Sequence, residues 1–353
     1  MKDCSAGRDG YVLGLDLGDR KSRYVLLNER GVAVEEASVP TKAKWLETLF
    51  EEIPKSRVVM EVGSQSRWVS ELGKEAGHEV IVANARRVRL VYENPQKSDE
   101  VDAQWLARLG RVDTKLLHPI VHRGRQVQAD LAIVRSREAV VKARTLLINH
   151  VRGMVKAWGV QLPKCGTKVF DREVREAIPQ ELKVSVGPIV ELVGQLSEQI
   201  AVYERELKER AESYPELQGL MAIDGVGPIV ASCFIWTLED PSRFRRSRDV
   251  GPYLGLVPKR DQSGEVDRRL GITKAGDEGV RCLLVQSAHH ILGYRGKDCD
   301  LRRFGLKLAE AGGVRGKKRA VVAVARKLSV LLHHLWVTGE EYDPFYQAKR
   351  RSA

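Results

Sequence analysis

Paired cysteines are missing from this chain. Cys4, Cys165, Cys233, Cys282 and Cys299 are odd in number, scattered, and nowhere form a Cys-x-x-Cys pair. That excludes a disulfide framework and a zinc cluster, and it suits a reducing cytoplasm. Aromatic residues make up 6% of the sequence, and the tryptophans are too dispersed to form a base-stacking platform. The polar, charged start lacks the apolar stretch of a signal peptide. No uninterrupted apolar run reaches membrane-spanning length. The nearest, Ala320 to Trp336, is broken by Arg326 and Lys327. Its Val321, Val324, Leu328, Leu331 and Leu335 follow helical spacing, which predicts a core helix.

What is present describes a folded, basic protein. The 353 residues suffice for two or three domains. Hydrophobic residues at 43% and charged residues at 30% exclude wholesale disorder. A net charge of +12 calls for a polyanionic partner, either nucleic acid or an acidic membrane surface, and the distribution of the charge must decide.

Along the chain, Tyr11 to Leu17 reads as a buried strand with Asp16 near its end. Turns at Gly18-Asp19-Arg20 and Glu29-Arg30-Gly31 lead into strands at Ser22 to Asn28 and Val32 to Ser38. A helix with Trp45, Leu46, Leu49, Phe50 and Ile53 on its apolar face follows. Then come a strand at Arg57 to Val62 carrying Glu61, a helix at Ser66 to Ala76, and a strand at Glu79 to Ala83. Three hairpin-linked strands followed by βα units predict a mixed sheet covered by helices, the element order of the ribonuclease-H-like fold.

Lys97-Ser98-Asp99-Glu100-Val101-Asp102-Ala103 opens the next helix, with Ser98 as N-cap and Val101, Trp105 and Leu109 expected to face the core. Asp99 and Asp102 then share a face of its first turn, where like charges repel unless a cation or proton lies between them. Dipole compensation at a helix start explains the same pattern without a ligand. With Asp16 and Glu61 the pair makes four carboxylates from two strands and a helix, an oxygen-rich set that could bind two Mg²⁺ ions. Surface acids remain the plain alternative. Asp16-Leu17-Gly18 also resembles the first phosphate loop of actin-like ATPases, although no second glycine-rich phosphate loop appears downstream.

Gln126 to Trp158 is a long helical stretch with Val127, Leu131, Val134, Val141, Ile148 and Val155 in register. Between Arg135 and Lys156 it carries six basic residues against one acid, Glu138. A second long helix, about Ile189 to Ala211, aligns Leu192, Leu196, Ile200, Tyr203 and Leu207. An antiparallel hairpin within the chain and an oligomerisation coiled coil both fit. Past Pro215, Ile223-Asp224-Gly225-Val226-Gly227 reads as a helix–hairpin–helix turn. A basic run, Arg243, Arg245, Arg246 and Arg248, follows, then a polar loop or hairpin from Lys259 to Arg269, and a basic loop from Gly312 to Arg319. Ser263 precedes Gly264 among Lys259, Arg260, Arg268, Arg269 and Lys274. A hydroxyl there could attack a phosphodiester, and a plain Ser-Gly turn fits equally. The pairs His289-His290 and His333-His334 read as packing and surface positions.

Taken together, these pieces resemble the DEDD transposases of bacterial insertion sequences. The matching residues are Gly14-Leu15-Asp16, Met60-Glu61-Val62-Gly63, Lys97-Ser98-Asp99 and Asp102-Ala103. The match continues through Ile223 to Gly227, Tyr253 to Pro258, Gln262-Ser263-Gly264, Thr273-Lys274-Ala275-Gly276 and Arg281. Asp277 stands where the family commonly has asparagine. The resemblance implies α/β plus α architecture: a RuvC-like domain over 1–120, a coiled-coil-like helical middle over 121–214 that drives oligomerisation, and a mainly helical transposase domain over 215–353. It further implies that Asp16, Glu61, Asp99 and Asp102 bind Mg²⁺, with Mn²⁺ as a substitute, and that Ser263 forms a covalent phosphoserine with DNA. A structured bridge RNA would choose the targets, a dimer or tetramer would act, and the protein would be cytoplasmic with no membrane partner. A metal-dependent nuclease with a structural Ser263, and a nucleic-acid-binding protein without chemistry, are the competing readings.

Overall fold

The computed structural model describes residues 10–85, 88, 99–263 and 266–346, with residues 99, 100, 263, 266, 269 and 314 described by backbone alone. The expected cap Ser98, Gly264 and the basic tail lie outside the described residues. The chain divides into two compact units at His122/Arg123.

In the first unit the strands are β1 (Tyr11–Asp16), β2 (Lys21–Leu27), β3 (Ala33–Pro40), β4 (Ser56–Glu61) and β5 (Glu79–Ala83); β1, β4 and β5 are apolar runs with β-branched residues, while β3, at the sheet edge, is mostly exposed. Their order in the sheet is β3-β2-β1-β4-β5. β1 pairs antiparallel with β2 and parallel with β4; β2–β3 is antiparallel and β4–β5 parallel. β1 is the central strand, and successive side chains serve opposite faces. Leu13 and Leu15 join Val58 and Met60 beneath α1 (Ala43–Glu52) and α2 (Ser66–Glu75). Val12 joins Val59 and the buried side of α3 (Asp99–Val112). Both faces are therefore covered, which is why β1 and β4 read as continuous apolar runs.

Two expected core positions are corrected. Trp105 is 37% exposed and Val101 only half-buried; α3 instead buries Ala103, Leu106, Ala107 and Leu109. Size misled the periodicity, because small residues mark where the helix backbone meets the sheet. Trp45 likewise lies on the exposed side of α1, while Leu46, Leu49 and Phe50 are buried.

The second unit contains α4 (Arg125–Ala157), short α5 (Phe170–Val174) and α6 (Lys183–Glu212). The pairs Asp130–Arg210, Arg137–Glu204 and Arg144–Ser197 have nearly constant index sums, so α4 and α6 run antiparallel within one chain. The seam differs from the expected one at the start of α6, where Val190 and Val193 are buried and Leu192 is exposed. Leu131, Val134, Leu207 and Ala211 share a core with α7 (Glu216–Met221), α8 (Pro228–Leu238), α9 (Val250–Tyr253), α10 (Glu278–Leu292) and α12 (Gly316–Thr338). The far end of the pair forms its own cluster around Val151, Phe170 and Val190. Between α10 and α12 lies α11 (Asp300–Ala311). The stretch expected as a basic loop at 312–319 is helical from Gly316 onward. By length and composition α12 alone among described helices could cross a membrane, yet half of that window is buried in the unit, as expected of a core helix.

Candidate active site

In the first unit, register and alternation put three of the four sequence-selected acids on one face and at one end of the sheet. Leu15 is paired with Met60 in the parallel β1–β4 ladder, so Asp16 and Glu61 end neighbouring strands at the same level. Val12, Gly14 and Asp16 lie on one face of β1, and Val59 and Glu61 lie on the same face of β4. That face is the one α3 covers.

Gly14 explains the close fit. A Cβ there would lie 2.0 Å from the Ala103 carbonyl oxygen and 2.6 Å from the Ala107 amide nitrogen. At the other end of the helix, a Cβ on Gly110 would meet Val59 at 2.4 Å. With Ala103 over Gly14 and Gly110 over Val12 and Val59, α3 runs antiparallel to β1. Its N-terminal turn, carrying Asp102, therefore sits at the end of the sheet where Asp16 and Glu61 stand. Asp102 is 7% exposed, and Oε1 of Glu61 and Oδ1 of Asp102 are shielded from solvent. The side chain of Asp99 lies outside the described residues.

Three carboxylates on one face and at one end are hard oxygen donors of the kind divalent cations prefer. Among the described residues no group of three His, Cys, Asp or Glu is drawn together as a finished ligand set. The donor chemistry thus fits a divalent cation.

One group in this neighbourhood escaped the sequence reading. Arg23 of β2 is the cross-strand partner of Asp16 and donates from Nη1 to Ser38 Oγ at 3.1 Å. Counting the register back from the Gly18-Asp19-Arg20 turn was the available signal. That turn is fixed by Thr41 Oγ1, which donates to Gly18 O at 3.0 Å, and by Gln65 Nε2, which donates to Asp19 O at 3.1 Å.

In the second unit, β6 (Pro258–Ser263) and β7 (Val266–Ile272) form the hairpin. Ser263 is the last paired residue, opposite Val266, so it stands at the tip. Asp261 and Arg268 face each other one step further down the same side, and Arg260 and Arg269 are paired on the opposite side. Arg260 grips Asp267 through Nε and Nη2 at 3.0 and 3.1 Å. Lys259 and Arg268 are exposed, as is Lys274 beyond the base.

The base of this hairpin is rigidly built. Gly255 and Gly276 both have φ of +70°, and a Cβ on either would strike backbone, at Ala275 and Tyr253. Buried Arg281 donates from Nη1 to Ala275 O at 2.8 Å and Leu254 O at 3.2 Å. Two loops are thereby held against each other, and Thr273 N donates to Val257 O at 2.9 Å to close the hairpin.

The expected basic run is not uniform. Arg243 donates to Leu238 O and lies over the Tyr253 ring, and Arg246 faces Asp249 at 3.7 Å. Arg245 and Arg248 are exposed. His333 is a packing residue between Ser247 Oγ and Pro241 O, each at 3.0 Å; His289 is exposed.

Comparison with known proteins adds an independent finding. Residues 13–158 match a family model described as transposase, of the DEDD IS110 type, and residues 217–299 match one described as the transposase IS116/IS110/IS902 family. The chain is 30% identical over 346 residues to the transposase for insertion sequence element IS1111A of Coxiella burnetii, covering 95% of this chain and 92% of that one. It is 29% identical over 284 residues to a probable family 20 transposase of Pseudomonas aeruginosa, covering 78% and 82%. It is 30% identical over 239 residues to the transposase for insertion sequence element IS1328 of Yersinia enterocolitica, covering 67% and 70%.

Proposed function

Because the chain belongs to the IS116/IS110/IS902 family of transposases, we propose that it moves an insertion sequence by cutting and rejoining DNA through a phosphoserine on Ser263, assisted by a divalent cation. The observation that carries this reading is the placement of Asp16, Glu61 and Asp102 on one face and at one end of the sheet. The strand order β3-β2-β1-β4-β5 supports a ribonuclease-H/RuvC-like domain over 1–120, followed by a helical segment over 121–214 and a transposase domain over 215–353.

Asp16, Glu61 and Asp102, with Asp99 as fourth member, would hold Mg²⁺ or Mn²⁺. When bound, the cation neutralises charge on the scissile phosphate and favours ionisation of the attacking hydroxyl. The serine oxygen forms a bond to phosphorus and gives up its proton to a base. The bond to the departing strand breaks, and that strand's oxygen takes up a proton. A phosphodiester is exchanged for a phosphoserine ester, so the strand can be rejoined without an outside energy source. The tip position of Ser263 in a hairpin with a rigid base suits it to reach a backbone phosphate. Lys259, Arg260, Arg268, Arg269 and Lys274 would contact that backbone. The resemblance further supports guidance by a structured bridge RNA and action as a dimer or tetramer.

The test is a denaturing gel of protein mixed with DNA spanning the element end. The parent chain with Mg²⁺ gives a covalent protein–DNA adduct, Ser263→Ala gives none, and Asp102→Asn gives far less. Full strand exchange by Ser263→Ala would defeat the serine mechanism. Cleavage without an adduct in both parent and variant would identify a metal-dependent nuclease instead.

A further inference from the structure

Between α10 and α11 the segment Gly293-Tyr294-Arg295-Gly296-Lys297-Asp298 projects from the second unit, and its tip has no part in the core. Tyr294 is 87% exposed. The Arg295 guanidinium lies 5.1 Å from the centroid of its ring. An aromatic ring so exposed gains almost nothing from burial, and a mobile loop would be the ordinary way to carry one.

This loop is held from several sides. Arg302 Nη1 donates to Gly293 O at 2.6 Å and also to Ile291 O. Asp224 Oδ2, from the Ile223-Asp224-Gly225-Val226-Gly227 turn, accepts the Lys297 backbone N–H at 2.8 Å. Its Oδ1 faces His290 Nε2 at 3.4 Å. At Gly296 a Cβ would lie 2.2 Å from Ile291 O, so the backbone is packed without clearance. These contacts fix the base and leave the tip as a presented surface.

The charge of that surface is positive. Arg295 and Lys297 are exposed. Of the acids nearby, Asp224 is occupied as described, Asp298 is gripped by Arg303 through two nitrogens, which holds its carboxyl below the usual carboxylate range, and Asp300 is half-buried at the start of α11. Beside the loop a cavity of about 780 Å³ is bordered by Gly225, Gly227, Gln286, His290 and Lys297. A cationic tip on a firmly held base that offers one open aromatic face matches an unpaired nucleobase with its phosphate: the base stacks on the ring while the cation meets the backbone.

We propose that the Tyr294–Arg295 tip is a contact for DNA with unpaired bases, on which Tyr294 stacks one exposed nucleobase. DNA as the occupant rests on the transposase reading above, since exchanging strands requires separated ones.

The experiment measures binding of the full chain to labelled DNA oligonucleotides, one a perfect duplex and one with the same sequence interrupted by unpaired bases. A single-stranded RNA of that sequence serves as the third probe. Tyr294→Ala is expected to weaken binding of the interrupted DNA by about tenfold, the scale of one base–aromatic stack, and to leave the perfect duplex nearly unchanged. Tyr294→Phe keeps the ring and should bind like the parent. Arg295→Ala should weaken both DNA probes and flatten the salt dependence. Equal binding of the interrupted DNA by Tyr294→Ala and the parent overturns the proposal while leaving the transposase reading intact. A loss confined to RNA overturns the choice of DNA. Failure of the parent to bind any DNA overturns both.

Discussion

Asp16, the last residue of β1, stands directly opposite Arg23 of β2 in the antiparallel ladder. Alternation puts Arg23 on the same face as Val25 and Leu27, under the α3 side of the sheet. The acidic end of the site thus has a guanidinium built into its border, aimed from the sheet and steadied by Ser38. Arg23→Gln is expected to lower DNA cleavage about ten- to hundredfold, the scale of one charge-assisted contact. Arg23→Lys should recover part of it, with the melting temperature of both variants close to that of the parent. Cleavage by Arg23→Gln at the parent's rate would remove Arg23 from the site.

Gly14→Ala has a sharper structural outcome. Its methyl group would occupy the space of the Ala103 carbonyl, so α3 must lift from the sheet. Overpacking of this kind costs about 3 kcal/mol. Thermal unfolding should show that loss in Gly14→Ala and none in Gly10→Ala, where a Cβ meets nothing within 4 Å.

Arg281→Met should loosen the hairpin that bears Ser263. It leaves the carbonyls of Leu254 and Ala275 without their buried donor, at a cost of about 3 kcal/mol. Hydrogen exchange is the discriminating measurement: protection of 258–263 and 266–272 should fall while that of the first unit stays constant. Uniform loss across both units would contradict a local clamp.

Glu204 gives the α4–α6 pair a pH dependence. Burial alone would raise its pKa, but the hydrogen bond and charge of Arg137, helped by Lys168, hold it below the usual carboxylate range. A carboxylate depressed in the folded state contributes stability above its unfolded pKa, about 4.3, and loses it as pH falls through the folded value. In urea unfolding, the gap between the parent and Glu204→Gln should therefore be widest near neutral pH and close below about pH 4. A gap independent of pH would mean that the pair contributes no such charge effect.

Thiol chemistry should separate two cysteines. Cys233 is buried in α8, and burial pushes its thiol pKa up to about 12, whereas Cys282 is exposed on α10. At pH 8 an alkylating reagent should modify Cys282 in the native protein and reach Cys233 only after denaturation, read by mass spectrometry. Equal labelling of both in the native state would contradict the packing around α8.

The strands of the first unit were legible because a sheet covered on both sides demands continuous apolar sequence, and Tyr11 to Leu17 and Arg57 to Val62 supply it. Asp16 and Glu61 stood out as acids at the ends of such runs. Trp105 was misplaced since periodicity weighs large side chains, whereas α3 meets the sheet through Ala103, Ala107 and Gly110. Arg23 was missed for a different reason: its meaning lies in a cross-strand register, which no local pattern displays. Lys259 to Arg269 reads equally as loop or hairpin because no described residue of its two strands is buried, so no alternating imprint is visible.

The close approach at Gly14 also bears on how this site can change over time. Where a helix rests on a strand through main-chain atoms, the spacing between Asp16 and Asp102 is set by the backbone itself. Exchanges among Leu106, Leu109, Val25 and Leu27 can then proceed by volume compensation with little movement of the acids. The hydrophobic layer tolerates compensated exchanges; the glycine, with main chain pressed against it, does not.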